Sequence, residues 1–156
     1  RNAPMWGPPG HAYVYLCYGM HQMLNLVTNR DGEGAAVLIR SCEPVAGHAL
    51  ITERRGGLEG PQLLTGPGKV GQALGLTSGC SGQPLFDRSD VYVLDAPTPV
   101  RWLAGPRVGI GYATPEHQRA PWRFALAESP WVSQRKTLAL NARALRSRSR
   151  SRSTRS

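Results

Sequence analysis

Gly10-His11-Ala12-Tyr13-Val14-Tyr15-Leu16-Cys17-Tyr18-Gly19-Met20 is the stretch that decides the fold. Side chains alternate along a strand, so His11, Tyr13 and Tyr15 share one face while Ala12, Val14 and Leu16 share the other. Tyr18-Gly19 breaks the alternation and predicts a hairpin tip. Residues 20–28 then predict a returning strand, residues 29–34 a turn, and residues 35–44 a third strand. One reading is a packed strand with a buried aliphatic face. The other is an aromatic face that stacks on a planar ligand, with an aromatic wedge at an exposed tip. Proteins that extrude a nucleobase need both parts.

Working outward, residues 1–9 are irregular and proline-rich. Residues 49–55 predict a short helix stopped by Gly56-Gly57. Gly66-Pro67-Gly68-Lys69 opens a second helix whose apolar face carries Val70, Ala73 and Leu74. Residues 78–90 form a glycine- and serine-rich loop. Residues 91–94, 107–111 and 123–127 predict short strands separated by prolines, and Trp102, Trp122 and Trp131 read as core aromatics. Strands dominate and helices sit at the edges. The expected fold is α+β, a single domain over residues 1–133 with a curved antiparallel sheet, a protruding hairpin and peripheral helices.

At 156 residues the chain can bury a substantial core. No apolar run reaches membrane-spanning length, and no basic-then-apolar start suggests a signal peptide. Cys17, Cys42 and Cys80 are odd in number and far apart, which argues against a disulfide framework or a zinc site. They fit a reducing intracellular compartment, the cytoplasm and nucleoid in a bacterium. The net charge is +9, but Arg143, Arg146, Arg148, Arg150, Arg152 and Arg155 supply six of those charges and no acidic residue follows Glu128. The body without them is only mildly basic. Residues 136–145 could form one marginal helix. The Arg-Ser repeat beyond it has no apolar residue to bury, so residues 134–156 read as a disordered basic tail.

The ordered string PPGHAYVYLCYGMHQMLNLV…GAAVLIRSCEP closely resembles the alkyladenine (3-methyladenine) DNA glycosylase family, and LLTGPGKVGQALGL, PRVGIGY and SPWVS agree with it in order and spacing. The resemblance spans roughly residues 1–133. It implies a monofunctional hydrolase that flips alkylated or deaminated purines out of double-stranded DNA and cuts their N-glycosidic bond. It implies a monomer with no metal, no other cofactor and no membrane partner. Tyr18 matches the family's intercalating hairpin tyrosine and Tyr15 a tyrosine that stacks on the extruded base. Asn25 matches an asparagine that excludes the amino group of guanine. Arg40 matches a residue that positions the attacking water, together with the backbone carbonyl of Val108. Leu38, on the strand face of Arg40, lines the pocket. Gly68 and Lys69 offer a phosphate grip through helix-terminal N–H groups and an ammonium. Each residue also has an ordinary reading: a wet turn tyrosine, a packed strand, an asparagine bonded to local backbone, a solvated arginine.

Hydrolysis needs a general base. In the family this is a glutamate in a Glu-Ala-Tyr motif N-terminal to the Arg-Asn at which this sequence opens, and no such motif occurs here. Glu43, Glu53 and Glu59 match nothing catalytic. The family's pocket histidine and second stacking tyrosine are missing too, and His11 does not replace them. The chain thus looks like the C-terminal two-thirds of a glycosylase, inactive or nearly so alone, with a sheet edge left unpaired by the missing strands. Two alternatives remain: a non-catalytic nucleic-acid-binding fragment that uses its basic tail, and a plain α+β domain with a basic extension.

Overall fold

In a computed structural model, residues 2–88 and 90–140 are described. They divide into two compact units, Arg1–Ala96 and Pro97–Ser156. The fold is α+β, with two antiparallel three-stranded sheets and peripheral helices. Among the described residues, no helix is long and apolar enough to cross a membrane.

The first unit is built on the hairpin. Strand β1 (Ala12–Cys17) pairs antiparallel with β2 (His21–Val27), and β2 pairs with β3 (Ala36–Leu38), in the order β1-β2-β3. Of the aliphatic face predicted from the alternation, Ala12 and Val14 are buried in the core, whereas Leu16 is exposed. Ala12, Val14, Leu24, Leu76 and Leu85 form one buried cluster, with Leu26, Ile39, Cys80 and Val91 against it. Burying each of the larger aliphatic side chains contributes roughly 1.5–3 kcal/mol.

Helix α1 (His48–Arg54) ends before Gly56 and Gly57, both at positive φ, as expected from the sequence. Helix α2 (Pro67–Ala73) begins with proline and buries Val70, Gly71 and Ala73. It docks on β2 so closely that a Cβ at Gly71 would lie 2.0 Å from the Gln22 carbonyl oxygen. Only glycine allows that approach. Leu74, expected on the apolar face, is instead largely exposed.

The outer edge of β1 is occupied. Ala12 N–H donates to the Gln83 carbonyl (2.9 Å), Gly82 N–H to the Ala12 carbonyl (2.8 Å) and Leu85 N–H to the Gly10 carbonyl (2.8 Å). The Ser81 hydroxyl accepts from Val14 N–H at 2.7 Å and donates to the Val14 carbonyl at 2.8 Å. The glycine- and serine-rich loop therefore acts as a partial fourth partner of the sheet.

The second unit holds β4 (Trp102–Gly105), α3 (Pro115–Arg119), β5 (Arg123–Leu126) and β6 (Ala139–Leu140), with sheet order β5-β4-β6. Arg123 is buried and binds this unit's loops together. Its Nε donates to the Pro106 carbonyl (2.9 Å), one terminal nitrogen to the Ser133 and Gln134 carbonyls (3.0 and 3.3 Å), and the other to Gln134 and the Thr137 hydroxyl. Burial lowers the guanidinium pKa, and these acceptors hold the charge in place.

Several sequence expectations are corrected here. Residues 107–111 are not a strand, because Pro106 has no N–H for a ladder and Gly109 bends the chain at φ 75°. The strand is Trp102–Gly105, just before them. Residues 91–94 are also irregular, apart from a bond from Val93 N–H to the Leu85 carbonyl (2.7 Å). The third strand is three residues long rather than ten, because the chain leaves β2 after Ile39 and Ser41 bridges Thr65. Residues 135–140 form a 3-10 turn and β6, not the start of a helix. The rest of the predicted tail lies outside the described residues. Trp122 is exposed rather than core, while Trp102 and Trp131 are half-buried.

Candidate functional site

The register of the first sheet sets out the site. Tyr13 lies opposite Asn25 and Tyr15 opposite Met23 across β1 and β2, and Asn25 lies opposite Leu38 across β2 and β3. Directly paired residues point to the same side of a sheet. Tyr13, Tyr15, Met23, Asn25 and Leu38 therefore form one continuous face, opposite the aliphatic core. Three residues predicted separately from the sequence, Tyr15, Asn25 and Leu38, are brought together on three adjacent strands. Met23 was not singled out, although its two-residue spacing from Asn25 marks it as a member of the same face.

Within that face the side chains differ in how firmly they are held. The Tyr13 and Tyr15 ring centroids are 5.3 Å apart with the planes tilted by 31°. Tyr13 is buried and its hydroxyl donates to Asn2 Oδ1 at 3.3 Å, which supports packing rather than ligand contact for this ring. Tyr15 is half-buried. Asn25 is buried, and its Nδ2 donates to the Tyr13 and Met23 carbonyls, both at 3.1 Å. The carboxamide is thus fixed to the sheet backbone by two bonds, which sets its orientation toward anything lying on the face.

Tyr18 stands at the tip of the hairpin. Met20 N–H donates to the Cys17 carbonyl at 3.1 Å, and both central residues of this turn have positive φ, 51° at Tyr18 and 70° at Gly19. Cys17 pairs with His21, so Tyr18, Gly19 and Met20 form a three-residue loop. Glycine adopts such angles freely, but tyrosine does so at a cost of about 1–3 kcal/mol. Its side chain is 88% exposed. A large aromatic left in solvent at the tip contributes nothing to the core.

The remaining predicted residues are placed less decisively. Arg40 is half-buried and lies two residues past β3, in the segment leading to the Ser41–Thr65 bridge, so it does not share a strand face with Leu38 as expected. Gly68 lies in the first turn of α2, where a Cβ would meet the His21 ring at 2.8 Å. Close packing against the hairpin thus explains this glycine by itself. Lys69 is half-buried, and its side chain runs beside Gly66. His11 is held by its own loop. Its Nδ1 donates toward the Pro8 and Pro9 carbonyls (3.2 and 3.1 Å), and its ring packs edge-on against Phe86.

Val108 belongs to the second unit, on the bend before Gly109, and is partly exposed. Beside it the Arg107 guanidinium sits 5.1 Å from the Trp122 ring centroid, and His117 lies 5.4 Å from the same ring. Neither contact was legible from the spacing of these residues.

The chain matches the family profile of methylpurine-DNA glycosylase over residues 1–130. A Nitrosococcus oceani protein provisionally named a 3-methyladenine DNA glycosylase is 57% identical over 138 residues, covering 88% of this chain and 69% of that protein. An Arabidopsis thaliana protein named DNA-3-methyladenine glycosylase is 58% identical over 135 residues, covering 85% of this chain. This chain spans only about half of the Arabidopsis protein (53%). A Methanocella arvoryzae protein, also provisionally named a 3-methyladenine DNA glycosylase, is 43% identical over 136 residues, 86% of this chain and 68% of its own length. With the hairpin, its exposed tip and the tyrosine–asparagine–leucine face all present, the chain belongs to the methylpurine-DNA glycosylase family.

Proposed function

We propose that this chain captures a damaged purine extruded from duplex DNA and contributes to hydrolysis of its N-glycosidic bond. The observation that carries this reading is the shared face of Tyr15, Asn25 and Leu38, one strand turn from the exposed Tyr18. Extruding a base costs a few kcal/mol, least where pairing is already damaged. Tyr18 offsets part of that cost by filling the vacated gap in the stack. Stacking of the base on Tyr15 contributes about 1–3 kcal/mol more. Leu38 supplies apolar wall beside it.

Selectivity comes from Asn25. Because its carboxamide is tied to two strand carbonyls, it cannot turn away from a guanine amino group, whereas alkylated adenines, ethenoadenine and hypoxanthine lack that group. Rejection of the abundant normal base is then as important as attraction of the damaged one. Lys69 and the backbone at Gly68 hold a flanking phosphate. Arg40 orients the water. In the reaction, the water oxygen bonds to C1′ of the sugar as one water proton passes to a general base. The C1′–N bond breaks with its electron pair going to the purine, and a neutral purine takes up a proton from solvent as it leaves. The general base that accepts the water proton is not among Glu43, Glu53 and Glu59, which are all exposed and none of which belongs to the aromatic face.

Incubating excess chain with a duplex carrying one hypoxanthine or ethenoadenine, and scoring both binding and alkali-labile breaks, tests this. Preferential binding of the lesion duplex without breaks is expected from the chain alone. Breaks would show that the chain contains its own base. Equal binding of lesion and undamaged duplexes, falling steeply with salt, would favour the alternative of a non-catalytic binder driven by its tail arginines.

A further inference from the structure

We propose that Met23 is a specificity-determining residue of the purine face, a flexible wall that sets how large a damaged base can be admitted. The inference rests on the purine-binding reading of that face. Met23 lies directly across from Tyr15, so its thioether and the phenol ring stand on the same side at cross-strand spacing. One position further along the same face is Asn25, which bonds to the Met23 carbonyl at 3.1 Å. Met23 therefore adjoins both the stacking ring and the excluding carboxamide.

Its neighbours on the face are constrained. Tyr13 is buried and bonded to Asn2. Asn25 is fixed by two bonds to backbone, and Leu38 is the last residue of its strand. Met23 is half-buried and unbranched, with three rotatable side-chain bonds. Methionine fills irregular gaps and repacks against different outlines, and its polarizable sulfur suits the edge of an aromatic ring. Surfaces that accept several ligands use it for that reason. The damaged purines in question differ in outline: hypoxanthine is a two-ring base, and ethenoadenine carries a third fused ring. A wall that retracts for the larger base and closes behind the smaller one lets one face accept both.

Two substitutions should shift this balance in opposite directions. In Met23→Ile the β-branch stiffens the first torsion while remaining compatible with a strand. The affinity for an ethenoadenine duplex should fall about tenfold, the low end of what one misplaced methylene does in an apolar pocket, and the affinity for a hypoxanthine duplex should stay within about twofold. Met23→Ala removes the wall and should raise the ethenoadenine-to-hypoxanthine affinity ratio above that of the unsubstituted chain. Equilibrium binding to three duplexes (ethenoadenine, hypoxanthine, undamaged), with a thermal melt of each variant, reads both effects. A purely structural methionine would move the melting temperature but scale all three affinities together. If the unsubstituted chain prefers lesions but the ratio stays constant in both variants, the Met23 inference is overturned and the face itself stands. If the unsubstituted chain binds all three duplexes equally, both fall together.

Discussion

Replacing Asn25 separates the structural work of this residue from its selective work. The side chain donates two hydrogen bonds, to the carbonyls of Tyr13 and Met23 at 3.1 Å each, from a buried position in the central strand. A hydrogen bond of this kind contributes about 0.5–1.5 kcal/mol net, so Asn25→Ala should cost roughly 1–3 kcal/mol by loss of both bonds. At about 2–4 °C per kcal/mol for a chain of this size, the melting temperature should fall by roughly 2–12 °C. Asn25→Asp should cost more at neutral pH. A carboxylate has no donor for either carbonyl and places a charge in a buried site, and the penalty should shrink at low pH, where the protonated group regains a donor. The functional effect is separate. With the carboxamide gone, a guanine amino group no longer meets an obstacle, so undamaged guanine should compete about tenfold better for the site, a change of about 1.4 kcal/mol. Thermal melts paired with competition binding, using lesion duplex as probe and undamaged duplexes with and without guanine as competitors, measure both. If Asn25→Ala lowers the melting temperature but leaves guanine competition unchanged, Asn25 only ties strands together and the exclusion argument is wrong.

The other predictions concern the wedge and the framework that holds it. Tyr18→Gly removes a non-glycine residue at φ 51°, a relief of about 1–3 kcal/mol set against about 0.4–1 kcal/mol of added chain freedom. Melting should therefore stay level or rise while lesion affinity falls at least tenfold, and a loss of stability with intact affinity would contradict a functional role for the strain. Gly71→Ala places a methyl 2.0 Å from the Gln22 carbonyl oxygen and should destabilise by about 1–3 kcal/mol through separation of α2 from β2. An unchanged denaturation midpoint would refute that contact. Arg123→Met leaves the carbonyls of Pro106, Ser133 and Gln134 without their donor and should cost about 1–3 kcal/mol for each carbonyl left buried and unsatisfied. Limited proteolysis should then cut near residues 133–137 first, and resistance equal to that of the parent chain would show that the arginine is not the tie.

The hairpin was legible because it depends on local rules. Strict alternation fixes which side chains share a face, and Tyr18-Gly19 is the only break between two alternating runs. The same rule showed Val14 and Ala12 facing the core. It failed where tertiary contacts override local pattern. Residues 107–111 alternate like a strand, yet Pro106 and the positive φ of Gly109 move the ladder to Trp102–Gly105. Residues 35–44 look like one long strand, but pairing with β2 ends at Ile39 and the chain turns toward Thr65. Arg123 could not be recognised as buried, because its acceptors are carbonyls from three separate turns. Among the candidate site residues, Tyr15, Asn25 and Leu38 come from the family resemblance and the register of β1, β2 and β3 places them on one face, whereas Arg40 and Val108 lie outside regular strands, where periodicity carries no positional information.

The most direct test of capture on this face uses the emission of ethenoadenine itself, which is sensitive to stacking. A duplex with one ethenoadenine is titrated with the chain, and emission is followed alongside an independent measure of binding. The account predicts that emission departs from the value of the free duplex as the base leaves the helix and meets Tyr15, that Tyr15→Ala alters the end point, and that Tyr18→Ala removes most of the change. Full binding with emission fixed at the free-duplex value would mean that the base never leaves the stack, and that the tyrosine–asparagine–leucine face is not a base-binding site.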